Sequence, residues 1–414
     1  MGPITAIKEP ARSVPVIEEA EVVVLGGGPA GVAAAVSAAR AGADVVLVER
    51  YGHLGGLATG GLVILLDCYS EGGEIVIKGF AREVWEALEA EGCVRRSPSE
   101  QKTSILFDPE ALKYVYLGLA RDAGVRFLLH SWAAAAVMDG QALTAVLTES
   151  KSGRGAVRGQ VFVDASGDAD LAAWARAPFE LEAHPLGVGL IARLGAVDWA
   201  RYQRFTAEQP EEWQRLREEY RRSGGLGGTS MAWRDDVVWN NNGIPGDGLD
   251  VKDLTRLEVT LRQRLWDYWR FYRKHVPGFE NSFLLDTASQ IGVRETRRPV
   301  GPYQLTMADI DAGQSFPDSI GVGNLWNGRG TYDIPYRALL PQAVTNLLVA
   351  GRCISADHQA TDMTRTIPVC MVTGQGAGVA AALAARAGSA AHQVDLSALH
   401  AELLRQHVNL SVAA

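Results

Sequence analysis

The apolar pattern changes period twice between residues 21 and 50. Val22 to Leu25 is a short continuous β-branched run, Val32 to Ala41 is an alanine-rich stretch that reads as a small-faced helix closed by Gly42, and Asp44 to Val48 is a second apolar run. The order is strand, loop, helix, strand, ending on Glu49. Farther on, Leu62 to Leu66 is an apolar strand or helix start. Lys78 to Ala90 has helical spacing through Phe80, Val84 and Leu88, and Asp108-Pro109-Glu110 caps a helix that runs to Ala120. Val125 to Leu129 predicts a third parallel strand. Val137 to Glu149, turning at Asp139-Gly140, predicts a hairpin whose return runs through Gly153 to a buried strand ending at Val163. From about residue 178 the character changes. Gly187 to Leu194 can be a strand, Glu211 to Arg222 is a charged helix, and residues 240–248 (Asn240-Asn241-Asn242-Gly243, then Pro245-Gly246-Asp247-Gly248) form a turn-rich passage. Val251 to Val276 is an amphipathic helix whose Trp266, Trp269, Phe271 and Tyr272 read as core. Asn346 to Val349 is a last strand, Pro368 to Ala385 a long apolar helix, and 388–414 a short tail with one helical set of leucines.

The first loop carries chemistry. Gly26, Gly28 and Gly31 form G-x-G-x-x-G directly between strand and helix. In that setting Gly26 permits the tight turn, Gly28 admits a pyrophosphate close to the backbone, and Gly31 lets helix and sheet approach, while the helix N-terminus attracts phosphate charge. Glu49 follows Gly31 by eighteen residues, close to the spacing of about 20 at which a carboxylate meets the ribose hydroxyls. An acid there suits FAD or NAD better than NADP. The run Glu49-Arg50-Tyr51-Gly52-His53-Leu54-Gly55-Gly56-Leu57-Ala58-Thr59-Gly60-Gly61 then extends into a glycine-rich loop that a flavin mononucleotide half needs and an NAD dehydrogenase does not.

On these residues, and on those of the carboxyl-terminal third, the sequence resembles the FAD-dependent oxidoreductase family of the glutathione-reductase-like flavoprotein superfamily, related to fumarate reductases. The resemblance covers most of residues 20–390. It implies an α/β fold: a Rossmann-like FAD-binding domain whose parallel sheet carries a three-stranded antiparallel insertion, plus a mixed α+β substrate lobe. The expected limits are an N-terminal arm at 1–20, a discontinuous FAD-binding domain at 21–177 and 330–390, a substrate-covering lobe at 178–329, and a tail at 391–414. Beside Gly26, Gly28, Pro29, Ala30, Gly31, Glu49, Arg50, Gly55, Gly56, Leu57, Ala58 and Thr59, the implied cofactor-binding residues are Trp132, Ala133, Ala165, Gly167, Asp168, Gly351, Arg352, Gly374, Gly376 and Ala377. Ala165 to Asp168 lie in a D-A-S-G-D segment that in the family returns to the pyrophosphate, although Asp168 also suits an N-cap. The positive end of the Pro368–Ala385 helix is expected at the N1–C2 edge of the flavin, where reduction leaves negative charge. Residues 294–298 (Arg294-Glu295-Thr296-Arg297-Arg298) match a family segment following a buried strand, and would place guanidinium forks for carboxylate or phosphate oxygens.

Composition narrows the chemistry. The chain of 414 residues is 47% hydrophobic and 21% charged, an ordinary globular balance, with a net charge of −8 that disfavours nucleic acid as a partner. Cys68, Cys93, Cys353 and Cys370 are far apart and contain no C-x-x-C, so neither a redox dithiol nor a metal site is expected, and the default compartment is cytoplasmic. The first twenty residues lack the apolar core of a signal peptide, and no apolar run is expected to reach the roughly 18 residues of a membrane span. With no second G-x-G-x-x-G, and with Gly351-Arg352-Cys353 where aromatic hydroxylases carry G-D-A, the expected reaction is hydride transfer between a small organic substrate and flavin N5. The alternatives are a flavin monooxygenase or an electron-transfer subunit of a larger complex. Arg294 and Arg365 are candidates for gripping an anionic or carbonyl oxygen, and His358 is the candidate acid or base. The substrate is a small molecule, an anion among the candidates, and pairing into a homo-oligomer is left open.

Overall fold

The β-branched run at Val22–Leu25 forms the middle of a sheet because both of its faces are covered: Val22, Val23 and Val24 are fully buried. In the computed structural model, which describes residues 9–66, 69–71, 74–96, 105–223, 225, 229–234, 237–325 and 330–410, this run is the second half of β1 (Val16–Leu25). A seven-stranded sheet is built on it. β1 pairs in parallel with β2 (Val45–Val48), and β2 with β3 (Arg126–Leu128). The insertion follows as β4 (Trp132–Asp139) and β5 (Ala142–Ser150), antiparallel to each other. The long strand β6 (Gly153–Asp164) is antiparallel to β5 in its first half and parallel to β1 from Ala156 to Asp164. The first strand therefore begins earlier than the sequence suggests: Val16 to Ala20, placed in an arm by composition, pair with the Ala156–Gly159 stretch of β6.

Helix α1 (Pro29–Arg40) leaves β1 through the glycine loop and lies on the sheet. Farther on, α2 (Phe80–Ala90) and α3 (Pro109–Asp122) cover the same core, and Asp108 caps α3 by accepting from the Glu110 and Ala111 amides. The short helix α4 (Asp170–Trp174) follows β6, with Ala169, not Asp168, at its N-cap.

A second, four-stranded antiparallel sheet carries the lobe. Its strands are β7 (Val188–Gly195), β8 (Thr229–Arg234), β9 (Val237–Ile244) and β10 (Phe283–Thr287), in the order β8-β9-β7-β10. Residues 240–244, expected within a turn-rich passage, are instead strand β9, because seven residues of β7 pair with it. Helices α5 (Trp199–Glu208), α6 (Pro210–Arg222) and α7 (Val251–His275) pack beside this sheet. Tyr202, Trp213, Tyr220, Tyr268 and Tyr272 form their aromatic core, joined by Trp269 and Phe271, whereas Trp266 stays 42% exposed under Arg270. The strand before residues 291–298 is not buried: Phe283 and Leu285 of β10 are exposed. Asp67, Cys68, Gly72, Gly73, Gly224 and residues 226–228 lie outside the described residues.

The chain returns to the first sheet with β11 (Leu347–Val349), parallel to β6. A one-turn helix α8 (Met307–Asp311) precedes it, and α9 (His358–Thr364), α10 (Ile367–Ala387) and α11 (Leu396–Arg405) follow. By length and hydropathy α10 could cross a membrane, contrary to the expectation that no run reaches that length; the apolar window is wholly buried, which identifies a core helix. It packs on α1 with almost no space between backbones. A Cβ on Gly374 would stand 2.1 Å from the Ala30 carbonyl oxygen, and one on Gly378 2.1 Å from that of Ala34. The tail also belongs to the core, since Leu399 and Leu403 of α11 are fully buried and Gln406 donates to the Ser37 carbonyl.

Candidate active site

The register of the parallel strands brings four carboxyl ends level: Leu25 faces Val48 and Asp164, and Asp164 faces Val349. Ligands of open α/β sheets bind beyond such ends. A cleft enclosing about 1070 Å³, solvent at its mouth included, opens there. Gly26 turns the chain out of β1 with φ of +97°, which favours glycine, and a Cβ on it would meet the Ala165 carbonyl oxygen at 2.5 Å. Gly28 then begins α1 in extended conformation with no side-chain cap. Pro29 occupies the first helical position, so the free donors of the first turn belong to the residues after it. This leaves an uncapped, positively polarised helix end at the cleft wall.

Glu49 ends β2 with its carboxylate set between two backbone amides. Oε2 accepts from Gly27 N at 2.6 Å and Oε1 from Tyr51 N at 2.8 Å. Arg50 lies between the Tyr51 and Trp132 rings, 5.0 and 5.1 Å from their centroids, a cation–π sandwich that fixes its direction. Next, Gly55 and Gly56 take positive φ, and Gly55 N donates to the Gly27 carbonyl at 2.7 Å, so the two glycine loops are stitched together. Thr59 is buried and donates to the Leu54 carbonyl at 2.7 Å.

On the other side, Asp164 organises the D-A-S-G-D turn. Oδ1 accepts from the Ser166 hydroxyl at 2.6 Å and amide at 3.0 Å, and Oδ2 from the Ala172 amide at 2.9 Å. Full burial outweighs these bonds and pushes its carboxyl up to about 6. A folded-state value raised above the ordinary 3.8 means that the native protein keeps a proton the unfolded chain releases. The stability this carboxyl contributes is therefore fully present below about pH 4 and is lost as pH rises through about 6, by about 3 kcal/mol. Urea unfolding at about pH 3 and about pH 8, outside both values, should show Asp164→Asn gaining that amount on the wild type as pH rises; a constant difference would remove this account.

Asp168 is held where two distant segments meet. Oδ1 accepts from Arg352 Nη2 and from Thr296 Oγ1, both at 2.8 Å, while the Asp168 carbonyl accepts from Arg297 Nη1 at 3.0 Å. Arg297 also pairs with Asp170 at 2.9 Å. Burial first, then the Asp168 charge, raises Asp170 above the usual carboxylate range. The 294–298 segment is accordingly no solvated face: Glu295, Thr296 and Arg298 are buried. Glu295 accepts from His358 Nδ1 at 2.9 Å, from Leu186 N at 3.0 Å and, closely, from Arg298 Nη1.

Of the expected cofactor residues, Gly26, Gly28, Pro29, Ala30, Glu49, Arg50, Gly56, Leu57, Ala58, Trp132, Ala133, Ala165, Gly167, Gly351 and Arg352 line the cleft. Gly31, Gly55, Thr59 and Asp168 stand behind that wall and shape it. Gly374, Gly376 and Ala377 do not reach it: Gly374 abuts α1, a Cβ on Gly376 would meet Ile320, and Ala377 is fully buried. Among the expected catalytic residues, Arg365 lines the cleft, His358 does not and is engaged by Glu295, and Arg294 lies against the lobe sheet, donating to the Gly187 carbonyl. Sequence reasoning missed Gln290, Ile367 and Cys370 on the wall. The first turn of α10 was the available signal for the last two; Gln290 offered none. Burial pushes the Cys370 thiol up to about 12, so it stays protonated.

The cleft fits FAD by features of its own. Arg352 Nη1 and Gln290 Oε1 are buried without a partner on residues that line it. A Cβ on Gly28 would meet nothing within 4 Å, so open space lies directly over the start of α1.

A family model described as FAD dependent oxidoreductase matches residues 21–403. Among solved structures the chain is similar to p-nitrophenol 4-monooxygenase of Pseudomonas putida DLL-E4, with a TM-score of 0.53 and 11% identity over 94% of this chain and 84% of that one. It is also similar to an aromatic hydroxylase from angucycline biosynthesis (TM-score 0.50, 13% identity, 94% and 66% covered). A third is a geranylgeranyl bacteriochlorophyll reductase-like protein of Thermoplasma acidophilum (TM-score 0.49, 13% identity, 94% and 84% covered). At such identities the likeness is one of fold. No curated protein matches the sequence.

Proposed function

The chain belongs to the FAD-dependent oxidoreductase family, and from that premise we propose that it moves a hydride between a small organic substrate and N5 of FAD. We place it on the glutathione-reductase-like, fumarate-reductase-related side of the flavoproteins. The carrying observation is the junction at Gln290. Its amide donates to the Gly60 carbonyl at 3.0 Å, while Ala288 and Gly292 on either side donate to Ile191 and Gly189 of β7. One extended segment thus belongs both to the lobe sheet and to the cleft wall, which suits a lobe that presents a small molecule to the cofactor.

The work of the chain is binding and exclusion. The uncapped start of α1 and the Arg352 fork would hold the pyrophosphate, and Glu49 the ribose, with Arg50 and Trp132 at that end of the cleft. FAD, when bound, supplies a two-electron acceptor and donor. Ile367 and the protonated Cys370 line the wall near Arg365, so the polar group of that corner is the Arg365 guanidinium with its ion-pair partner Asp362. The buried thiols, Cys353 and Cys370, cannot serve as a redox relay, because burial raises both well above the ordinary thiol range.

Anaerobic titration of the purified yellow protein tests the reading. NADH and NADPH are expected to leave the visible flavin band intact, and an oxidisable organic substrate to bleach it. Rapid bleaching by either nicotinamide would overturn the assignment in favour of a monooxygenase, the activity named for the Pseudomonas structure.

A further inference from the structure

The outer side of α7 carries a charge that its own acids do not balance. Leu257, Leu261, Leu265 and Tyr268 face inward and are buried against the lobe sheet. Outward stand the exposed cations Lys252, Arg256, Arg262, Arg270, Arg273 and Lys274, with Asp267 as the exposed acid. Over the whole helix seven lysines and arginines oppose three acids, a net charge of +4 in a chain whose net charge is −8. The neighbouring α6 is just as charged but even: four arginines meet four glutamates, and Arg215 pairs with Glu212 and Glu219, Arg222 with Glu218. On α7, Arg256 and Arg262 pair with Asp253 and Glu258, whereas Lys252, Arg270, Arg273 and Lys274 have no carboxylate partner among the described residues. Arg273 and Lys274 complement the carboxyl end of the helix, but Lys252 sits at the amino end, where the dipole opposes it, so the excess is not a capping arrangement.

This side is not purely polar. Val251 and Val259 are 72% and 68% exposed, and Trp266 continues the same stripe at a spacing of seven residues. Trp269 donates from Nε1 to the Ser282 carbonyl at 3.1 Å, whereas the half-exposed Trp266 makes no hydrogen bond to a described residue. The two rings stand 4.9 Å apart, with the Arg270 guanidinium 5.4 Å over Trp266 and that of Arg273 5.4 Å over Trp269. An indole with its N–H unspent, wrapped by arginines, matches the boundary between water and lipid. There tryptophan sits at headgroup level, and arginine stems lie along apolar surface while their charges reach phosphate. Single apolar points spread along a rib about 37 Å long suit a flat, fluid partner, since a folded protein is met by a groove or by one clustered anchor.

We propose that the outer face of α7 docks the protein on an anionic lipid bilayer, with Val259 and Trp266 entering the headgroup layer and the unpaired cations meeting lipid phosphates. The surface belongs to the lobe and is independent of the hydride-transfer reading. Each cation near such a bilayer raises affinity about 5-fold, so binding needs several together and falls with salt.

The test is flotation of the full flavin-loaded chain with vesicles of phosphatidylcholine, either alone or with about a third phosphatidylglycerol. The mixed vesicles should carry the protein at low salt and release it at high salt, and phosphatidylcholine alone should not carry it. Arg270→Gln combined with Arg273→Gln should weaken binding about 25-fold, and Trp266→Ser about 3- to 10-fold. Arg82→Gln, on α2, should leave it unchanged. The exchanged side chains are exposed, so each variant should match the wild type in circular dichroism and flavin content. Brominated acyl chains should quench part of the tryptophan fluorescence, and Trp266→Phe should remove that part while keeping most of the affinity. The proposal is overturned if the mixed vesicles do not carry the protein, if the double arginine variant floats as the wild type does, or if brominated lipid leaves the fluorescence unchanged. Equal, salt-sensitive binding to duplex DNA or polyglutamate without that quenching would overturn it in favour of a macromolecular polyanion.

Discussion

Gly28→Val should yield folded, soluble protein that carries no flavin, whereas Gly31→Val should not fold stably at all. The two glycines stand three residues apart in one motif, yet the space around them differs. Gly28 has φ of −70°, a backbone that any residue adopts, and a Cβ there would meet nothing within 4 Å because it projects into the cleft. A valine at that position costs the fold little and occupies the place where the pyrophosphate would approach the helix end. At Gly31 a Cβ would lie 1.7 Å from the Gly26 carbonyl oxygen, with the Ala165 side chain at 3.3 Å. Backbone cannot yield as a flexible side chain does, so the cost exceeds the about 1–3 kcal/mol of ordinary overpacking. Far-UV circular dichroism, a thermal melt and the visible flavin band separate the two effects. Full flavin in Gly28→Val would sink the binding model.

The same pair shows what could be read from the sequence. Strand, glycine turn, helix and acid lie within thirty residues, and each is set by local backbone chemistry, so Gly26 to Glu49 were legible without a partner. Gly374 was not. A glycine inside a helix makes room for something, and whether that is a cofactor or another backbone depends on α1, more than three hundred residues earlier; the structure shows the Ala30 carbonyl there. His358 is a similar case: its partner Glu295 is 63 positions away, so sequence could offer the imidazole but not its surroundings. Residues 240–244 looked like a turn because asparagine and glycine favour turns, and the pairing of β9 with β7 overrode that preference. Gln290 left no mark on any pattern, since a lone amide in an irregular segment has no period. Charge at 294–298 was visible, but its division into a clamp on Asp168, a buried pair at Glu295 and an Arg294 fork on the Gly187 carbonyl and Asn241 needed the tertiary contacts.

Glu295→Ala should destabilise the protein by about 3–5 kcal/mol, the usual cost of leaving one partner of a buried ion pair alone. The carboxylate side chain is fully buried and gathers Arg298 Nη1, His358 Nδ1 and Leu186 N. Its removal leaves the Arg298 guanidinium, 6% exposed, with only Glu180 and Glu182 at 3.8 and 4.0 Å. Arg298 Nε is already without a partner, so the charge would rest on these two longer contacts alone among the described residues. The double variant Glu295→Leu with Arg298→Met should recover much of the loss, because removing both charges also removes their desolvation cost. His358→Ala breaks one hydrogen bond of a half-exposed ring and should cost about 1 kcal/mol with flavin retained. Urea unfolding of the four proteins, with flavin content measured in each, decides between two meanings of this cluster. If Glu295→Ala unfolds easily while His358→Ala keeps its flavin and its substrate-dependent bleaching, the cluster holds the 294–298 segment against the cleft. Loss of bleaching in a stable, yellow His358→Ala would instead assign the imidazole to the chemistry.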